Sequence, residues 1–166
     1  MWCRSQLLYI FILCLQILQA TRTIAQESNR LNSSNNGASG KSYVVINEHP
    51  RSFFGAWRFC MVLGMKLATI TSVEDSKLID AAIQRSSNTK GPWWIAGTDL
   101  GLEGFFVWIS TNKLVGHPTG YLNYSPGQPD NAGGNEHCLE IGRWGGVAWN
   151  DAQCEWSQRF ICELQA

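Results

Sequence analysis

A chain of 166 residues with 45% apolar residues has room for one domain with its own core and is too short to expect two. Lys and Arg number 13, as do Asp and Glu, so no global field draws the chain toward nucleic acid or an acidic membrane surface.

The first residues are Met1-Trp2-Cys3-Arg4, followed by an apolar run through Leu7, Ile10, Phe11 and Leu15 and then small residues at Ala20 and Ala25. A positive start, a short apolar stretch and a small-residue exit predict a secretory signal peptide over residues 1–20, with cleavage as late as 25. A membrane anchor is the alternative. Gln16 interrupts the run, which falls short of the roughly 20 residues that span a bilayer, so the expectation is a secreted, extracellular protein with no membrane span. Cleavage leaves Cys60, Cys138, Cys154 and Cys162, an even set in an oxidising compartment, and predicts two disulfides. Four cysteines pair in three ways, and the sequence alone does not choose among them.

Residues 21–41 are rich in Ser, Asn and Gly and cannot bury enough apolar surface to offset ordering, so they read as a flexible polar lead-in. Asn32-Ser33-Ser34 is a glycosylation sequon in that segment, and Asn123-Tyr124-Ser125 is a second, set where a packed strand is expected. Order is predicted to begin with a strand at 43–46. Phe53, Ala56, Trp57, Cys60 and Leu63 then recur at helical spacing, and Gly64 supplies the stop. Residues 65–70 alternate and predict a strand. Ser72 followed by Glu74 and Asp75 marks a helix start, and that helix runs through Leu78, Ile79, Ala82 and Ile83 to a break at 86–92.

Beyond Pro92 the apolar runs are short and aromatic: 93–97, 105–109, 138–141, 147–149 and 160–162. Helices followed by strands predict an α+β domain, placed over 42–164. Trp57, Trp93, Trp94, Trp108 and Trp149 are expected in its core. Residues 99–135 show little regular pattern apart from 105–109, and so long an irregular stretch in a compact domain is usually functional.

That stretch ends in Gln128-Pro129-Asp130-Asn131-Ala132-Gly133-Gly134-Asn135-Glu136, and Trp149-Asn150-Asp151 follows. Gln128, Asp130, Glu136, Asn150 and Asp151 offer three carboxylates and two amides, the oxygen-only set that a hard cation such as Ca2+ takes. Zinc, which favours thiolate and imidazole, fits that set poorly. Turn chemistry alone accounts for either piece singly; a cysteine two residues past Glu136 and another three past Asp151 argues for one joined site.

Two cysteine pairs, Trp94-Ile95-Ala96-Gly97, Gln128-Pro129-Asp130, Glu136 before Cys138, Trp149-Asn150-Asp151 before Cys154, and terminal Ile161-Cys162-Glu163 together resemble the C-type lectin domain, in particular short secreted insect-type members with a single such domain. The resemblance implies a double-loop fold with two helices, antiparallel strands and a long Ca-binding loop. It also implies disulfides Cys60–Cys162 and Cys138–Cys154, and a cis peptide before Pro129. The five residues above become the ligands of a principal Ca2+ site, Asp151 adding a backbone oxygen. Gln128, Asp130, Glu136 and Asn150 would also read a sugar's hydroxyls, since amides donate where carboxylates accept. An amide before a carboxylate implies galactose or N-acetylgalactosamine. The aromatic that family members place after Asp130 to stack on galactose is missing, and Trp144 is the nearby candidate for that role. An auxiliary Ca2+ site would use Asp99, Glu103 and Asn131, with Asn131 and His137 standing where carboxylates are common.

The implied partners are galactose-type glycans on glycoproteins or microbial surfaces. The alternative is a protein-binding module of the same fold using neither calcium nor sugar, and in that case broken ligand positions are expected. No Ser/His/Asp or Cys/His arrangement is legible, so an enzyme is not expected. No heptad stretch supplies an oligomerisation helix, although single sugar sites bind weakly and oligomers would add avidity.

Overall fold

The computed structural model describes residue 19 and residues 40–165. The polar lead-in up to residue 39, the Asn32 sequon and, apart from Gln19, the signal-peptide segment lie outside the described residues.

Two helices form where the spacing predicts. Helix α1, Phe53–Val62, buries Phe53, Ala56 and Cys60, and the Ser52 hydroxyl at its start accepts from the Gly55 N–H. Gly64 ends it with φ 71°, a left-handed conformation open to glycine. Helix α2, Val73–Arg85, is capped by Ser72, which accepts from the Asp75 N–H at 3.1 Å, and it buries Ile79, Ala82 and Ile83.

The strands are β1 (Lys41–Arg51), β2 (Lys66–Leu67), β3 (Trp93–Thr98), β4 (Val107–Trp108), β5 (Lys113–Leu114), β6 (Cys138–Ile141), β7 (Trp149–Ala152) and β8 (Gln158–Gln165). They run in the order β1-β8-β3-β4-β5, with β2 on β8, and β6 joining β3 to β7; among these strands only β3 and β8 pair in parallel with each other. Val44 opposite Cys162 brings the two ends of the unit side by side. Both implied disulfides are present, Cys60–Cys162 from α1 to β8 and Cys138–Cys154 across the β6–β7 end.

Several elements depart from expectation. The predicted 65–70 strand contracts to β2, because the buried Glu163 carboxylate, not a neighbouring strand, takes the Thr69 N–H and hydroxyl at 2.9 and 2.7 Å. The 105–109 strand contracts to β4, since Asp99 to Phe105 is occupied by successive turns. Strand β1 begins at Lys41 and runs on through Pro50, longer at both ends than 43–46.

The core lies between the helices and the sheet. Trp93, Trp94, Trp108, Trp149, Phe53 and Phe160 are fully buried, while Trp57 is half-buried against them. Trp149 is the hub on the loop side, edge-on to Trp108 at 5.6 Å and to Tyr124 at 5.2 Å. The irregular segment is therefore fastened by aromatic packing as well as by its turns.

A polar network closes the other end. Lys41 Nζ lies 2.8 Å from Asp75 and 3.1 and 3.2 Å from the Thr69 and Thr71 hydroxyls. Burial raises the Asp75 carboxyl, but the bond from Lys41 and those from the Thr71 N–H and hydroxyl outweigh it, and its pKa falls below the ordinary value. A depressed folded pKa gives stability that is complete above the unfolded value and is lost as pH falls through the folded one. Lys41→Met is expected to cost about 2 kcal/mol at pH 7. In thermal unfolding scans from pH 7 to 3, the gap to the parent should shrink below about pH 4; a constant gap would place the effect outside the ion pair.

Candidate metal-binding site

The loop from Gly127 to Glu136 is shaped by its own backbone before any ligand is considered. The Gln128 N–H donates to the Ser125 carbonyl, the Gln128–Pro129 peptide is cis, and Asn131 takes a left-handed φ of 45°. The Asn131 side-chain oxygen accepts from the Glu136 N–H at 2.9 Å and closes the short 3-10 turn at Ala132–Gly134.

Strand β7 supplies the opposite wall. Its Asp151, wholly buried, accepts from the Asp130 and Asn131 N–H groups at 3.2 and 2.7 Å, so one carboxylate fixes two consecutive loop amides. Asn150 and Asp151 lie within the strand, which extends past the 147–149 run to Ala152, and pairing with β6 sets their register: Leu139 opposite Asp151, Glu140 opposite Asn150.

One carboxylate oxygen from each of Asp130, Glu136 and Asp151 lies within 4.8 Å of the other two. Burial raises the Glu136 pKa, repulsion from Asp151 and Asp130 adds to the rise, and the Ala132 N–H and Arg143 offset part of it. Burial likewise raises the neighbouring Tyr124 hydroxyl, with Asp151 and Asp99 contributing. Gln128 Oε1 is buried with no hydrogen-bond partner in the protein. Three converging carboxylates, with an orphaned amide oxygen two residues before Asp130 in the same loop, are what a hard cation would relieve, and the donor set fits calcium.

Asn150 is held differently. Its Nδ2 donates to Glu140 Oε1 at 3.0 Å and to the Asp151 carbonyl. Glu140, wholly buried on β6, also accepts from Gln158 Nε2 at 2.8 Å and takes both Nε and Nη2 of Arg143. The Arg143 guanidinium lies over the Trp156 ring, 5.1 Å from its centroid. This network was missed by sequence reasoning. The available signal was a glutamate inside an otherwise apolar run, Cys138-Leu139-Glu140-Ile141, where an unpaired charge is not tolerated. Trp144, next to Arg143, projects outward with 66% of its surface exposed, so it is not a core residue.

The residues expected at the auxiliary site divide. Asp99 and Glu103 come together, but their companion is His137, whose Nδ1 lies 3.1 and 3.3 Å from them. The Asn131 oxygen is engaged in the loop turn instead. At the second sequon, the Asn123 amide nitrogen that a glycan would occupy donates to the Val147 carbonyl at 2.9 Å.

Helices against a disulfide-tied sheet, with an acidic long loop facing the Trp-Asn-Asp strand, define the class, and the chain belongs to the lectin C-type domain family, whose profile matches residues 49–164. Perlucin from Haliotis laevigata is 39% identical over 115 residues, covering 69% of this chain and 70% of perlucin. Salivary C-type lectin 2 from Aedes albopictus is 36% identical over 135 residues, 75% and 84% of the two chains. Among solved structures, the mouse scavenger receptor C-type lectin carbohydrate-recognition domain superposes with a TM-score of 0.64 at 28% identity, covering 78% of this chain and 94% of that one.

Proposed function

We propose that this chain is a secreted, calcium-dependent lectin for galactose-type glycans, with residues 1–20 as a signal peptide and 42–164 as the carbohydrate-recognition domain. The observation that carries the calcium reading is the convergence of the Asp130, Glu136 and Asp151 carboxylates, with a buried, unpartnered Gln128 oxygen in the same loop as the first two. Gln128, Asp130, Glu136, Asn150 and Asp151 would hold the ion. Bound there, calcium supplies a hard cation with coordination left for two vicinal hydroxyls of a sugar.

The protein's own groups do the reading. The Gln128 amide donates to a hydroxyl oxygen, the Asp130 and Glu136 carboxylates accept hydroxyl protons, and Asn150, whose two N–H groups go to Glu140 and the Asp151 carbonyl, contributes its oxygen, so the metal ligands also select the sugar's stereochemistry. Glu140 favours this arrangement: by binding Asn150 Nδ2 it turns that amide in one sense and leaves Oδ1 for the ion. The order of amide before carboxylate in Gln128-Pro129-Asp130 supports galactose or N-acetylgalactosamine. Exposed Trp144, beside the anchored Arg143, offers the apolar face for stacking that the residue after Asp130 does not.

Galactose-agarose is expected to retain the protein in calcium and release it in EDTA. Equal retention with the chelator present would remove the metal from the reading, and retention on mannose-agarose alone would remove the galactose preference.

A further inference from the structure

The second acidic cluster is built differently from the first. Asp99 follows β3, Glu103 sits on the turn beyond it, and His137 is the residue after Glu136. Their positions are fixed largely by main chain: the His137 carbonyl accepts from the Asp99 N–H at 3.2 Å and the Thr98 hydroxyl at 2.7 Å, and its N–H donates to Ala152 at 3.1 Å. The Gly104 N–H holds Asp99 Oδ2 at 2.7 Å and leaves Oδ1 turned to the imidazole.

Two features point to a cation, and to a kind that the first site does not suit. The Asp99 side chain is wholly buried, yet among the described residues neither it nor Glu103 has a Lys or Arg within ion-pair distance. A buried carboxylate is ordinarily paired with a cation or bound to a metal, and one imidazole cannot neutralise two carboxylates. The donors are also mixed. An imidazole nitrogen is a poor ligand for calcium and a good one for zinc, which takes nitrogen and carboxylate oxygen at about 2.0–2.2 Å in tetrahedral geometry. Those bond lengths place neighbouring ligand atoms roughly 3.3–3.6 Å apart. The observed 3.1 and 3.3 Å from Nδ1 to the two carboxylates are close to such edges.

We infer that Asp99, Glu103 and His137 form a binding site for a borderline divalent metal, zinc by preference, and that the position does not take a second calcium. Three protein ligands leave a fourth position for water or for a group from outside. Glu103, 57% exposed, gives the metal a route in from solvent.

The inference is tested on the full chain stripped of metal and then saturated with calcium, so that the first site is filled whether or not it serves sugar. Zn2+ titration by calorimetry is expected to give one site per chain, and Co2+ the visible absorption of a four-coordinate ion. His137→Ala keeps every main-chain bond described and should weaken Zn2+ binding by at least about tenfold, as should Glu103→Gln at its exposed position. Circular dichroism in EDTA confirms that both variants fold. Absence of Zn2+ binding in the calcium-saturated parent, or unchanged binding in folded His137→Ala, overturns the site. Loss of calcium binding with zinc binding intact would instead overturn the lectin reading and leave this one standing.

Discussion

Asp130→Ala is expected to abolish calcium-dependent retention on galactose while leaving the disulfide-bonded fold in place. The residue is exposed, and its described contribution to the fold is a main-chain one, the N–H that Asp151 accepts. Alanine keeps that bond. What is lost is one of three converging charges, and cation affinity in oxygen-only sites depends strongly on charge count, so calcium binding should weaken about 100-fold or more. The sign in the absence of metal is opposite. Removing one mutually repelling carboxylate should leave stability in EDTA within about 0.5 kcal/mol of the parent or slightly above it. Thermal unfolding in EDTA and in calcium separates the two effects. A variant retained as strongly as the parent would move the sugar site elsewhere.

A larger effect on the fold itself is expected at Glu140. Replacing it with Leu leaves Arg143, Asn150 and Gln158 without the acceptor they share, and Asn150 and Gln158 are buried where water cannot substitute. Breaking a buried ion pair by removing one partner typically costs 3–5 kcal/mol, and because Arg143 is 30% exposed the lower end, about 3 kcal/mol, is expected. That corresponds to a fall of roughly 10 °C in midpoint for a domain of this size. Glu140→Gln, which keeps an acceptor oxygen for the Asn150 amide, should recover part of the loss. Urea unfolding at unchanged m-value is the measurement, and a change under 1 kcal/mol for Leu would show that the network is dispensable.

Much of this architecture was legible from local chemistry. Ser72 caps the helix whose start it marks, and the apolar spacing identifies the faces carrying Cys60 and Ile79. The oxygen-donor loop was legible because turn residues and carboxylates coincide in one stretch. What escaped shares one physical cause: it is decided by a pairing partner and not by the pattern of the segment itself. Thr69 leaves the predicted strand for the carboxylate of Glu163, 94 residues away. The two-residue strand β5 exists only as the partner of β4. His137, and not Asn131, is the side chain that reaches Asp99, since that is set by the pairing of β3 with β6 and not by the order of residues in the loop.

The Cys60–Cys162 bridge has a topological consequence. It joins a residue near the start of the unit to one near its end, 102 positions apart, and the Cys138–Cys154 bridge lies wholly inside that interval. The chain from α1 to β8 is thus a covalent ring with a smaller ring set within it. One break anywhere in the long exposed turns around Lys113 or Gly120 opens the ring without dividing the molecule, and the wall bearing Asn150 and Asp151 stays tethered to the helix that carries Cys60.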